Sequence, residues 1–209
     1  MEFSWILVLL LVMAYLLGSI PTAVWMGKWL KDIDVREHGS GNAGATNAMR
    51  VLGPRIGLVV LLLDAIKGIL AVALSFLALD HFASPLVFVV FQLALGAMAI
   101  TGHVFPVFAS FKGGKGIATL LGIILMLFPE AFLICLLVFL AIFLTTRFVS
   151  LGSISASIAL PVAVIWITDD TMLPKILFAL AVAVFVPVIH RKNISRLIKG
   201  KENRISFKR

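Results

Sequence analysis

The stretch from His38 to Arg50, HGSGNAGATNAMR, has the residue types for chemistry, being small, polar and nearly uncharged between apolar runs. Ser40, Gly41, Asn42, Gly44, Thr46, Asn47 and Arg50 offer backbone N–H groups, short side-chain donors and one guanidinium, which together suit an anion such as a phosphate. Gly39 to Gly44 formally matches GxGxxG, but no strand precedes it, so a dinucleotide site is not indicated. What remains is close backbone approach, with a helix expected to begin near Ala45 and to put Asn47 and Arg50, three apart, on one face. A flexible loop with an arginine on lipid headgroups is the plainer alternative.

A second cluster, Gly102-His-Val-Phe-Pro-Val-Phe-Ala-Ser-Phe-Lys-Gly-Gly-Lys-Gly116, sets Lys112 and Lys115 around Gly113 and Gly114. It is not a phosphate loop of the GxxxxGK[ST] kind, because Gly116 follows Lys115, yet a lysine pair on a glycine turn can clamp a second phosphate. Two interfacial anchors would account for the lysines but not for the glycines. A third cluster, Thr145 to Ser153, offers Arg147 with Ser150 and Ser153, hydroxyls that also serve helix packing. The tail from His190 has helical spacing that puts His190, Asn193 and Leu197 on one face, and it also reads as a basic amphipathic segment on anionic lipid. Arg196 and Glu202 complete the candidates, Glu202 as a carboxylate able to hold a cation.

Other titratable groups suggest structure rather than chemistry. Asp64 and Lys67 are three apart inside an apolar run, where charges are costly and usually paired, so an internal salt bridge is expected. His38, His81, His103 and His190 lack metal-ligand partners in the sequence, and no metal or cofactor is expected. The single cysteine, Cys135, excludes an intrachain disulfide framework.

The elements that must position these clusters span a membrane. The 209 residues are 61% hydrophobic and only 13% charged, with a mean hydropathy of +1.12, outside the range of ordinary soluble domains. A spanning helix needs about 20 mostly apolar residues. Phe3 to Met26, Ile56 to Leu79, Phe82 to about Phe105 and Phe148 to Thr168 meet that length, and Ile117 to Pro129, Ala131 to Thr146 and Ile176 to Ile189 are shorter. Pro129 beside Glu130 reads as a turn, and a short re-entrant pair there would fit as well. The opening segment begins with Glu2 and runs apolar past signal-peptide length, so it reads as a retained anchor.

The expectation is an all-α integral membrane protein, one domain over residues 1–209, built as a seven-span helix bundle with the N-terminus outside and the C-terminus cytoplasmic. That topology puts sixteen of the eighteen Lys and Arg residues in the cytoplasm, leaves Lys67 in the membrane and Lys175 outside, and sends Asp80, Glu130, Asp169 and Asp170 outward. It also explains the formal charge of +8 without nucleic acid as a partner. All four polar clusters then face one side, as parts of a single site.

The motifs Gly39 to Arg50, Gly102 to Gly116 and His190-Arg-Lys-Asn-Ile resemble those of the bacterial acyl-phosphate:glycerol-3-phosphate acyltransferase family, in order and along the whole chain. The resemblance implies transfer of a fatty acyl group from acyl phosphate to the sn-1 hydroxyl of glycerol 3-phosphate, giving lysophosphatidic acid and phosphate at the cytoplasmic face of the inner membrane. Under it, Ser40, Arg50 and Lys112 or Lys115 would hold phosphates and Ser150 would add a donor. His190 and Asn193 would orient glycerol 3-phosphate, or His190 would act as general base. The His-x-x-x-x-Asp pattern of many acyl-CoA enzymes is absent, since Ala43, Phe108 and Ser195 stand five residues after His38, His103 and His190. A transporter of phosphorylated metabolites is the rival class, but such proteins bind near the midplane and usually carry internal repeats, and none is found here.

Overall fold

The computed structural model describes residues 5–167 and 172–205. The expected features at Glu2, Phe3, Thr168, Asp169, Asp170, Lys208 and Arg209 lie outside those residues. Among the described residues every regular element is helical. Two compact units divide the chain, Met1–Met126 and Leu127–Arg209.

The first unit carries α1 (Trp5–Ser19), α2 (Thr22–Lys31), α3 (Ala45–Val51), α4 (Pro54–Ala73), α5 (Pro85–Val104) and nearly all of α6 (Ile117–Leu127). The expected continuous span from Phe3 to Met26 is instead broken at Ile20–Pro21, where α1 and α2 bend by 41°. Proline lacks the amide hydrogen and disfavours helix in the residue before it, so the break is where the covalent chemistry requires it. The carbonyl freed there is served at once: Ile20 O accepts from Thr22 N at 3.0 Å and from Lys67 Nζ at 3.0 Å. Lys67 also pairs with Asp64 at 2.9 Å, and Thr22 Oγ1 donates to the same Asp64 Oδ1 at 2.9 Å. The expected salt bridge inside α4 therefore exists, and it seals the broken first helix.

Close packing of α1 on α5 rests on small residues. A Cβ at Gly18 would overlap the Ala99 carbonyl oxygen, and one at Gly102 would overlap the Tyr15 carbonyl oxygen. Without water to drive helices together, such close backbone approach supplies much of their association in lipid.

The second unit carries α7 (Pro129–Thr146), α8 (Val149–Ile167), α9 (Leu173–Ile189) and α10 (Arg191–Ile198). Pro129 opens α7 at a first-turn position where its missing N–H costs nothing, so a new helix begins where the proline stands. α9 and α10 meet at 61° around His190, whose own N–H is donated to the carbonyls of Val186 and Pro187.

Among the described residues four helical stretches are long and apolar enough to cross a membrane, and up to six if each bent pair counts as one span. α6, at eleven residues, is shorter than the hydrocarbon core requires. Large apolar side chains point outward, among them Leu62, Leu137 and Val184, as a lipid solvent allows. Lys67→Met leaves Asp64 buried and unpaired, so a loss of about 3–5 kcal/mol is expected, most of it recovered by adding Asp64→Leu. Thermal unfolding in detergent checks this, and equal losses in the single and double variants would show that the pair is not coupled.

Candidate functional site

The polar clusters assemble within each unit separately. In the first unit, Gly39 and Gly41 take positive φ of 63° and 71°, folding the loop so that its polar groups turn toward α3. α3 begins at Ala45, as the sequence predicts, with Gly44 as its N-cap residue. Asn47 and Arg50 part company there: Arg50 is exposed, whereas Asn47 is 1% exposed and turned inward. The Asn47 Oδ1 accepts from Ser40 N at 2.8 Å and from Ser40 Oγ at 3.1 Å. Its Nδ2 donates to Val35 O at 2.7 Å and His38 O at 3.1 Å. All four hydrogen-bonding sites of the amide are thus engaged by the loop, so Asn47 holds Ser40 in place. Asn42, Gly44 and Thr46 are half-buried beside it.

The glycines of the second motif have a packing cause. A Cβ at Gly113 would overlap His103 O, and one at Gly114 would overlap the ring nitrogen Nε2 of His103. The backbone follows the same path, with Gly113 N donating to Val104 O at 3.2 Å and Gly114 N to His103 O at 3.1 Å. His103 is itself buried and its Nδ1 lies 3.1 Å from Thr119 Oγ1. A small cavity lined by Thr22, Ala43, Lys67, His103, Gly113 and Gly114 joins the two motifs inside this unit. Lys112 is exposed and Lys115 half-buried on the turn that follows.

Asp34 and Arg36 join the motifs as well, and the sequence reading passed over both. Arg36 forms an ion pair with Asp34 at 2.6 Å and donates to the carbonyls of Ala109 and Lys112. The Arg36 guanidinium holds the Asp34 carboxyl below its ordinary range, and that carboxylate raises the arginine in turn. The available signal was an opposite-charge pair two residues apart just ahead of the glycine stretch.

In the second unit one carboxylate gathers the tail. Glu202 Oε1 accepts from Ser150 Oγ at 3.0 Å and Asn193 Nδ2 at 2.6 Å, and Oε2 accepts from Arg196 Nε at 2.8 Å. Burial pushes the Glu202 carboxyl up, and the bonds from Asn193, Ser150 and Arg196 outweigh it and hold it below its ordinary value of 4.5. Glu202 and Arg196, expected among the substrate contacts, bind each other, and the expected cationic partner is the chain's own arginine. Ser153 Oγ donates to Val149 O at 3.0 Å, a bond within α8. His190 is 4% exposed, with Nδ1 2.9 Å from Val186 O. A carbonyl can only accept, so Nδ1 carries the hydrogen in this contact. Beyond α10, Ile205 N donates to Arg147 O at 3.1 Å and Arg204 lies over the Phe148 ring.

A family profile described as glycerol-3-phosphate acyltransferase matches residues 8–200. The chain belongs to the glycerol-3-phosphate acyltransferase family. A glycerol-3-phosphate acyltransferase of Fusobacterium nucleatum is 44% identical over 200 residues, covering 94% of this chain and 97% of that protein. One from Enterococcus faecalis is 41% identical, with 96% and 93% covered. The fold also matches the crystal structure of PlsY, an integral membrane glycerol 3-phosphate acyltransferase, in its glycerol 3-phosphate form, with a TM-score of 0.84 at 37% identity and 96% of each chain covered. The lysophosphatidic acid form of PlsY matches with a TM-score of 0.81 at 36% identity, covering 96% of this chain and 95% of that one.

For this acyltransferase-family chain the Glu202 cluster sets a pH dependence. With the folded carboxyl below its ordinary value, its contribution is complete above 4.5 and is lost as the pH falls through the lower folded value. Limited proteolysis between Ile198 and Ile205 is therefore expected to stay slow at neutral pH and to accelerate only in acid. A Glu202→Gln protein that is cut equally fast at every pH is the expected control.

Proposed function

We propose that this chain transfers a fatty acyl group from acyl phosphate to the sn-1 hydroxyl of glycerol 3-phosphate, releasing phosphate and lysophosphatidic acid. The observation that carries it is the pair of PlsY forms matched along 96% of this chain, which hold the acceptor and the acylated product of one reaction. No comparable support exists for transport of phosphorylated metabolites.

The residues are assigned tasks that need little acid–base chemistry. The hydroxyl oxygen attacks the acyl carbonyl carbon, the bond from that carbon to the phosphate oxygen breaks, and the hydroxyl proton passes to the departing phosphate. Acyl phosphate is already activated, so holding two anions and stabilising the carbonyl oxygen supplies much of the rate. Ser40, whose hydroxyl turns from Asn47 Oδ1 to donate, Arg50, and Lys112 or Lys115 take the phosphates. Ser150 adds a donor when its hydroxyl turns from Glu202, and His190 with Asn193 orients glycerol 3-phosphate.

The proposed topology keeps seven crossings, with α6 as a short seventh span, the N-terminus outside and the polar loops in the cytoplasm. The basic residues support it, because only Lys67 and Lys175 of the eighteen then fall elsewhere. Both units serve one acyltransferase domain in the inner membrane.

Purified protein given acyl phosphate and labelled glycerol 3-phosphate is expected to make labelled lysophosphatidic acid, with no product when acyl-CoA replaces acyl phosphate. Product from acyl-CoA alone would overturn the donor assignment, and none from either would overturn the enzyme reading. Arg50→Ala is expected to lower kcat/KM about tenfold to hundredfold, the scale of a hydrogen bond to a charged group. His190→Gln distinguishes two roles: a raised KM for glycerol 3-phosphate fits orientation, whereas loss of the acid limb of the pH–rate profile fits a general base.

A further inference from the structure

Two consecutive residues directly ahead of Lys112 lie in the left-handed region, Ser110 at φ 55° and Phe111 at φ 59°. An L-residue there crowds its Cβ against the backbone, most severely for a bulky side chain, and it persists only where neighbouring bonds over-determine it. Within the turn, Phe111 N donates to Pro106 O at 2.8 Å and Lys112 N to Ala109 O at 3.1 Å. From outside it, a single nitrogen brackets the strained pair: Arg36 Nη1 donates to Ala109 O at 2.9 Å and to Lys112 O at 3.2 Å. These carbonyls belong to the residues on either side of Ser110 and Phe111.

The guanidinium is held in turn. Arg36 Nε lies 3.0 and 3.1 Å from the two Asp34 oxygens, and Nη2 lies 2.6 Å from Oδ2. Asp34 Oδ1 also accepts from the Arg36 backbone N at 2.9 Å, which fixes the carboxylate to the same short turn. That turn, Val35–Glu37, is tied to Ser40 through Asn47, which binds both Val35 O and Ser40. One guanidinium and one amide thus place the Ser40 loop and the Lys112 turn on a common frame.

We infer that Arg36, oriented by Asp34, is a positioning residue for acyl transfer: it clamps the left-handed Ser110–Phe111 turn and so sets Lys112 in register with Ser40. The inference rests on the assignment of Lys112 to phosphate binding. Lysine cannot replace this arginine, because an ammonium lacks the planar fork that serves a carboxylate on one edge and two carbonyls on another.

A double-mutant cycle tests it, with steady-state kinetics and thermal unfolding of wild type, Arg36→Lys, Lys112→Ala and the double variant. Arg36→Lys is expected to raise KM for at least one phosphate substrate by about tenfold or more, the scale of a misplaced positioning contact, with a smaller change in kcat. The double variant is expected to be no slower than Lys112→Ala, since no ammonium is left to position. Losses that multiply in the double variant overturn the inference while the Lys112 assignment stands, and a fully active Lys112→Ala enzyme removes that assignment and the inference with it. Should Arg36→Lys fail to fold, Asp34→Asn loosens the hold on the guanidinium and with it the two carbonyl contacts, and its KM is expected to rise in the same direction. An unchanged KM there overturns the inference.

Discussion

A backbone carbonyl released from a helix near lipid has no water to turn to and must find its donor within the protein. That constraint accounts for the placing of Lys67, and side chains meet the carbonyls of the polar loops in the same way. Ile20 O is met by Lys67, Val35 O and His38 O by Asn47, Ala109 O and Lys112 O by Arg36. In each case a residue far away in sequence, or in another turn, completes a loop that could not otherwise leave its helix. The irregular segments are stable because their carbonyls are bound, and they are irregular where glycine, proline or left-handed residues end the helices.

Two kinds of polar residue result. One kind faces inward and builds the loops, as Asn47, Arg36 and Glu202 do with every strong contact going to the chain itself. The other kind is left on the loops so built, with Arg50 and Lys112 exposed. Catalysis of acyl transfer from an activated donor depends on fixed geometry more than on strong acids or bases, so much of the protein's polar chemistry goes into rigidity.

The helices, the motif order and the helix start at Pro129 were legible because apolar runs and proline report local physics. The Asp64–Lys67 pair was legible too, since two opposite charges three apart in lipid leave few alternatives. The break at Pro21 was readable in principle, but the apolar run continues across it and masks the bend. The direction of Asn47 was not readable: on α3 it shares a face with Arg50 by spacing alone, and only the folded loop shows which of the two is enclosed. Glu202 was similarly ambiguous, because its partners Ser150 and Asn193 come from segments that composition cannot bring together. The glycines at 113 and 114 suggested closeness to a ligand, whereas the neighbour they accommodate is His103.

The Glu202 cluster also imposes an order on synthesis. Ser150, Asn193 and Arg196 are all made before the carboxylate that draws them together, so α8 and α10 can be inserted with their polar groups still loose. The hydroxyl of Ser150 and the amide of Asn193 share an acceptor only in a chain that reaches Glu202. A chain cut short of that carboxylate leaves α8 and α10 without the acceptor they share.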